Sequence, residues 1–260
     1  MKLSVTIITK NEEKNVARAI RSVFFADEVI ILDSESTDRT KEISRQLGAR
    51  VFDQPFLGYG QQKNLAATYA QYPWILNIDA DEEVSSELAL EIQQWQKQDE
   101  QSYDSKVDCY EMPRLNHYCG KAIYFGGWYP DRKKRLYRKN TVEWSTPSVH
   151  EDLISIGQDE DGKIKNVQSL QGHILHYPFV TIKEQVEKNL RYALLGADHL
   201  LNKKQRRPTM LEVIWRPLGK FIECYILKQG FRDGYYGWVI AINAAYSLFL
   251  KYVFAYTRDR

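Results

Sequence analysis

Four carboxylates crowd into five positions at Asp79-Ala80-Asp81-Glu82-Glu83, directly after the mostly apolar run Trp74-Ile75-Leu76-Asn77-Ile78. That run follows Pro73 and suits a buried strand of a parallel sheet. In an open α/β sheet, ligands sit outside the carboxyl ends of the strands. A strand ending in Asp-Ala-Asp therefore aims hard oxygen ligands at a divalent cation, Mg²⁺ or Mn²⁺. The competing reading is structural: an acidic turn in front of a helix beginning near Val84, with Glu82 and Glu83 favourable at its N-terminus.

Two further residues carry chemistry by their position. Asp33 closes the run Ile30-Ile31-Leu32, where a carboxylate can accept hydrogen bonds from a ribose or a uracil ring, or stand as a solvated turn acid. Lys63 follows the loop Gly58-Tyr59-Gly60; it reaches a diphosphate if the loop cradles one, and is otherwise an ordinary surface lysine of a helix. Neither GxGxxG nor GxxxxGKS occurs, which weakens a dinucleotide or P-loop reading. His173 and His176 have the spacing of a metal pair, but no neighbouring motif completes a zinc site. Cys109, Cys119 and Cys224 show no metal-type spacing, and an odd count does not suggest a disulfide framework.

The elements that must position these groups alternate. Apolar, β-branched runs at 3–8, 28–32, 49–52 and 74–78 read as strands. Between them lie helical patterns: Val16, Ala19, Ile20 and Val23; a second ending near Leu47 with Gly48 as its stop; and a third carrying Lys63, Asn64, Ala66 and Ala67. This β-α-β-α-β-α-β rhythm predicts a mainly parallel sheet with right-handed crossovers. A helix is expected over 87–98 and a strand over 108–116, with Cys109, Met112 and Leu115 in the core. The run Arg132, Lys133, Lys134, Arg135 and Arg138 reads as a solvated basic face, or as a clamp for a phosphorylated acceptor.

With 260 residues, 43% hydrophobic and 27% charged, the chain is large enough for one substantial domain with an appendage, and disorder is not expected. The net charge of +2 hides an asymmetry: residues 177–260 hold 14 Lys+Arg against 7 Asp+Glu, and the remainder 22 against 27. The basic part is also aromatic and helical, with Val186, Leu190, Ala193 and Leu194 in phase, a break at Arg206-Arg207-Pro208, and a second segment around Ile214, Trp215 and Phe221. Residues 238–254 are largely apolar but interrupted by Asn243, Ser247 and Lys251, which is short and polar for a membrane-spanning helix. An interfacial helix on an anionic lipid surface is the expectation, with packing on its own domain or on a second subunit of a homo-oligomer as the alternative. No nucleic-acid-binding signature is found, so nucleic acid is not expected as a partner. The start Met1-Lys2-Leu3-Ser4-Val5 enters a strand without a signal-peptide pattern, which points to the cytoplasm.

Taken together, Ser4-Val5-Thr6-Ile7-Ile8-Thr9-Lys10-Asn11-Glu12, Asp33-Ser34-Glu35-Ser36-Thr37-Asp38 and Asp79-Ala80-Asp81 resemble the front half of a family 2 glycosyltransferase. With Gly58-Tyr59-Gly60-Gln61-Gln62-Lys63-Asn64, Gly127-Trp128-Tyr129-Pro130-Asp131 and Val149-His150-Glu151, the likeness extends to lipopolysaccharide inner-core β-1,4-glucosyltransferases of Gram-negative bacteria. The resemblance covers nearly the whole chain. It implies a GT-A fold, α/β with a Rossmann-like, mainly parallel central sheet, over 1–177, and a helical, basic and aromatic extension over 178–260. It further implies a UDP-sugar donor, a lipopolysaccharide core acceptor, and work on the cytoplasmic face of the inner membrane.

Residue roles follow from the same resemblance. Thr9, Asn11 and Glu12 would line the base and ribose, Asp33 would bind the uracil side, and Lys63 would reach the diphosphate. Asp79 would sit near ribose or metal, Asp81 would be the main metal carboxylate, and His176 a further metal ligand. Inverting transfer needs one base for the acceptor hydroxyl; Glu151 aligns with it, and the adjacent Asp152 is the alternative. A polyprenyl-phosphate or peptide acceptor is the rival within enzymes, and a non-catalytic nucleotide-sugar binding protein the rival outside them.

Overall fold

A computed structural model describes residues 1–97, 107–146, 151–156, 163–204 and 206–258. His150 and the segment before it, from 147, lie outside the described residues. The chain divides into two compact units. The first comprises Met1–Arg114 and Asp131–His176, the second Leu115–Pro130 and Tyr177–Arg260.

The strands are β1 (Leu3–Thr9), β2 (Glu28–Asp33), β3 (Arg50–Asp53), β4 (Trp74–Asp79), β5 (Glu82–Val84), β6 (Cys109–Tyr118), β7 (Lys121–Ala122), β8 (Asp131–Arg138), β9 (Val142–Trp144), β10 (Leu153–Ser155), β11 (Val167–Ser169) and β12 (Ile174–Phe179). The helices are α1 (Val16–Ser22), α2 (Thr40–Gln46), α3 (Tyr59–Thr68), α4 (Ser86–Gln96), α5 (Ile182–Lys204), α6 (Met210–Ile222) and α7 (Tyr235–Thr257). The main sheet runs β3-β2-β1-β4-β8-β6-β12-β5. Its first four strands are parallel, and β8 then pairs antiparallel with both β4 and β6. Strands β9 and β10 form a separate antiparallel pair.

Register explains why chemistry gathers at one edge. Thr9 stands opposite Asp33, and Ile8 opposite Asp79, so β1, β2 and β4 end together. Both faces of β4 are covered. Trp74, Leu76 and Ile78 join one apolar cluster with Val16, Ala19, Leu88 and Ile92, while Ile75 joins another with Ile30, Tyr137 and Trp144. Asn77 is buried in that strand and donates to the Thr6 carbonyl and Oγ1, both at 3.1 Å, so its polarity is satisfied.

The acidic stretch after β4 does not start a helix. Glu82 and Glu83 lie in β5, which pairs antiparallel with β12. Helix α4 begins later, capped by Ser85, whose Oγ accepts from the Leu88 N–H at 3.2 Å. The basic run is strand β8, not a uniform face.

In the second unit, α7 buries Val239, Ile240, Ala241, Asn243, Tyr252 and Ala255 and packs against α5 and α6. Helix α6 is capped by a reciprocal Thr209–Glu212 box. The Asp233 carboxylate accepts from the backbone N–H groups of Tyr124 (3.2 Å) and Phe125 (2.8 Å), tying 115–130 to the helical segment. Helix α7 is long and apolar enough to cross a membrane by length and composition alone.

Candidate active site

The loops after β1 and β2 clasp each other. Asp33 is fully buried and accepts from Thr9 Oγ1 (2.7 Å), Ser36 N–H (2.7 Å) and Ser36 Oγ (2.6 Å). Asn11 adopts φ 55°, in the left-handed region that Asn tolerates; its Oδ1 accepts from Thr37 N–H at 2.9 Å, and its own N–H donates to Ser36 Oγ at 2.7 Å. The Glu12 N–H donates to Thr40 Oγ1 at 2.8 Å, and its carboxylate accepts from Asn15 Nδ2 at 2.8 Å. Thr9, Asn11, Glu12 and Asp33 thus form one bonded platform. Asp33 is an interior acid that organises this turn, not a solvated one.

Beside the platform lies a cluster of opposite charges. Lys63 is not a surface residue: only 2% of its side chain is exposed. Its Nζ lies 3.2 Å from Asp79 Oδ1 and 2.9 Å from Glu151 Oε1, above the Trp144 ring at 4.4 Å from the centroid. Arg135 Nη2 lies 2.8 Å from both Asp79 Oδ2 and Glu82 Oε1, and its Nη1 donates to Asn77 Oδ1 at 3.3 Å. Glu82 is fully buried and also meets Arg114 Nη1 at 3.2 Å; Arg114 in turn bonds Asp131. Burial works against the charge on Asp79, yet the Arg135 guanidinium and the Lys63 ammonium hold its carboxyl well below the usual carboxylate range. Burial likewise works against the charge on Arg135, but Asp79 and Glu82 outweigh it and hold its pKa above the ordinary arginine value.

Local sequence builds this cluster. Asn64 donates to the Trp144 carbonyl and accepts from the Trp144 N–H, both at 2.8 Å, so α3 is laced to β9 next to Lys63. A Cβ on Gly60 would stand 2.0 Å from the Ser145 carbonyl oxygen, so only glycine permits this approach. Arg135, Glu82, Arg114 and Trp144 were not singled out as site residues from the sequence. Arg135 sits beside Leu136 and Tyr137, both buried, and that apolar pair is the sequence signal that this part of the run enters the core.

The remaining candidates separate. Asp81 Oδ2 lies 3.3 Å from His176 Nε2. His173 instead contributes backbone, exchanging bonds with Ser85. Glu151 and Asp152 diverge: Glu151 turns to Lys63 and is 20% exposed, whereas Asp152 is 71% exposed and pairs with Lys134 at 3.2 Å. Among the described residues no group of three or more His, Cys, Asp and Glu side chains converges as a ready-made metal cage. Asp81 and His176 offer an oxygen and an imidazole nitrogen. Such a pair fits a small divalent cation that takes its other positions from phosphate oxygens and water.

Residues 4–152 match the model described as "Glycosyl transferase family 2", a span that contains the site residues discussed above except His173 and His176. An uncharacterized glycosyltransferase of Rickettsia typhi is 34% identical over 96% of this chain and 85% of its own length. The lipopolysaccharide core biosynthesis glycosyltransferase LpsC of Rhizobium meliloti is 27% identical over 98% of this chain and 92% of its own. Among solved structures, glucosyl-3-phosphoglycerate synthase from Mycobacterium tuberculosis, in complex with Mn²⁺, UDP and glucosyl-3-phosphoglycerate, aligns with a TM-score of 0.46 and 15% identity over 67% of this chain and 71% of that one. The chain belongs to glycosyl transferase family 2. It is a glycosyltransferase of GT-A architecture, with a largely parallel sheet flanked by helices and further helices at its C-terminal end.

Proposed function

We propose that this enzyme is a metal-dependent, inverting hexosyltransferase that moves glucose from UDP-glucose to a heptose of the lipopolysaccharide inner core. The observation that carries the reading is the sharing of one buried cation: Lys63 bridges Asp79, at the end of the central strand, and Glu151, the candidate base. The LpsC likeness over nearly the full chain supports the acceptor class.

In the reaction, the acceptor hydroxyl attacks the anomeric carbon from the face opposite the diphosphate. Its proton passes to the Glu151 carboxylate, and the bond to UDP breaks with the electron pair leaving on the phosphate oxygen. No covalent enzyme intermediate is needed. Lys63 holds the Glu151 carboxylate in place, and a bound diphosphate would compete with Asp79 and Glu151 for its charge. The Thr9, Asn11, Glu12 and Asp33 platform shapes the nucleoside end. Asp81 and His176 would hold Mg²⁺ or Mn²⁺, with Asp79 next to them on the nucleotide side; a bound cation would offset the charge that develops on the leaving diphosphate. The acceptor is lipid-anchored, so the enzyme works on the cytoplasmic face of the membrane bearing it.

The test is UDP release from a panel of UDP-sugars with heptose-containing core acceptor, with Mn²⁺ or Mg²⁺ and then with EDTA. Acceptor-stimulated, metal-dependent turnover of UDP-glucose above other donors is the expected result. Preference for another donor overturns the substrate, and undiminished turnover in EDTA overturns the metal.

A further inference from the structure

We propose that α6 is an amphipathic docking face for an anionic phospholipid surface, a refinement that rests on the lipid-anchored acceptor proposed above. Met210, Ile214, Leu218 and Ile222 recur every four residues, and Leu211 and Trp215 lie beside them. All six are exposed, Leu211 at 66% and Trp215 at 62%. The helix is already packed by its other side, where buried Val213 joins Ala197, Leu200, Tyr252 and Ala255. The exposed row is therefore a second apolar face, not the one that fastens the helix to its unit.

Charge selects the occupant. The acids near this face are neutralised: Glu212 meets Arg206 at 2.9 and 3.1 Å, and Glu223 meets Lys220 at 3.0 Å and also Lys228. Arg207 and Arg216 are exposed, and among the described residues neither has a carboxylate within salt-bridge distance. An apolar row with a tryptophan and surplus arginines matches the acyl boundary and anionic headgroups of a bilayer. A second copy of the chain fits less well, because a twofold contact through this face would set the basic flanks against each other.

The neighbouring helices lack the combination. Helix α7 exposes Trp238, Ile242, Tyr246 and Phe249, but its sequence carries no charged residue before Lys251. The exposed apolar residues of α5 are interleaved with both signs, including the Lys183–Glu187 pair. On this proposal α6, rather than 238–254 in α7, supplies the lipid contact.

Flotation of the full chain with vesicles tests this. The parent is expected to float with phosphatidylethanolamine/phosphatidylglycerol vesicles and much less with phosphatidylcholine alone. L211E/W215E should lower the bound fraction at least about tenfold, and R207E/R216E should remove the preference for anionic vesicles. W238E/I242E should leave flotation unchanged. Parental flotation of L211E/W215E overturns the proposal, as does a parent that fails to float but sediments as a dimer that the variant lacks. UDP release without vesicles is read on the same samples and should match between parent and L211E/W215E. A failure of the sugar-transfer reading then shows there, separately from a failure of lipid docking.

Discussion

Asp79 and Asp81 stand two residues apart and live in opposite surroundings. Asp79 faces two cations, Lys63 and Arg135, each shared with a second carboxylate. Asp81 has a histidine nitrogen at 3.3 Å and no arginine or lysine within salt-bridge distance among the described residues. The two acids of an Asp-x-Asp motif need not do the same work. One is already balanced by two cations and fixes the geometry of the cluster; the other faces a histidine nitrogen. On the proposed reading, Asp79 stands on the nucleotide side and Asp81 is the carboxylate offered to metal.

The largest expected effect falls on the balanced side. Arg135→Met leaves Asp79 and the fully buried Glu82 without their shared cation, and breaking a buried ionic group in this way costs about 3–5 kcal/mol. Chemical denaturation should report that loss; a stability within about 1 kcal/mol of the parent would show that the network is not structural.

The two aspartates should then split in a paired experiment. Asp79→Asn is expected to lower stability by about 2–3 kcal/mol, while Asp81→Asn stays within about 0.5 kcal/mol of the parent. Conversely, Asp81→Asn should raise the Mn²⁺ concentration for half-maximal activity at least about tenfold. Equal effects of both substitutions on stability and metal requirement would erase the distinction.

A smaller effect concerns pH. The folded pKa of Asp79 is lowered by Arg135 and Lys63 against the opposing influence of burial. Its contribution to stability is therefore fully present above the unfolded value of about 3.9 and is lost as pH falls toward the depressed folded value. The stability gap between parent and Asp79→Asn should be level at neutral pH and shrink on acidification below about pH 4. A gap that widens with acid contradicts the assignment.

How much of this was legible follows from the range of the interactions. The four parallel strands announce themselves as short apolar runs, and residues at their carboxyl ends are the natural place for a site. Thr9, Asn11, Asp33 and Asp79 could be picked on that ground together with the family resemblance. The partners of Asp79 could not. Arg135 lies 56 positions away and meets it because β8 pairs antiparallel with β4, with Leu136 opposite Leu76. A basic run looks like a solvated face until its pairing is known: the register of β8 jumps at Arg135, from Lys134 opposite Glu111 to Leu136 opposite Tyr110, and Arg135 is buried while Arg132 is exposed. Glu82 shows the same limit. Its neighbours suggest a helix start, and only the long-range pairing of β5 with β12 reveals a buried acid. Nor does the sequence say which of Glu151 and Asp152 faces Lys63, since that contact spans 88 positions.

Turnover of Glu151→Gln beside Asp152→Asn, with UDP-glucose, Mn²⁺ and a heptose-containing core acceptor, separates the proposed base from its neighbour. Glu151→Gln is expected to lose about 10²–10⁴-fold in turnover while still binding UDP-glucose, and Asp152→Asn, at an exposed side chain that meets Lys134 and the Leu153 N–H, to stay within about twofold of the parent. Near-normal turnover of Glu151→Gln, or a collapse confined to Asp152→Asn, would contradict Glu151 as the base.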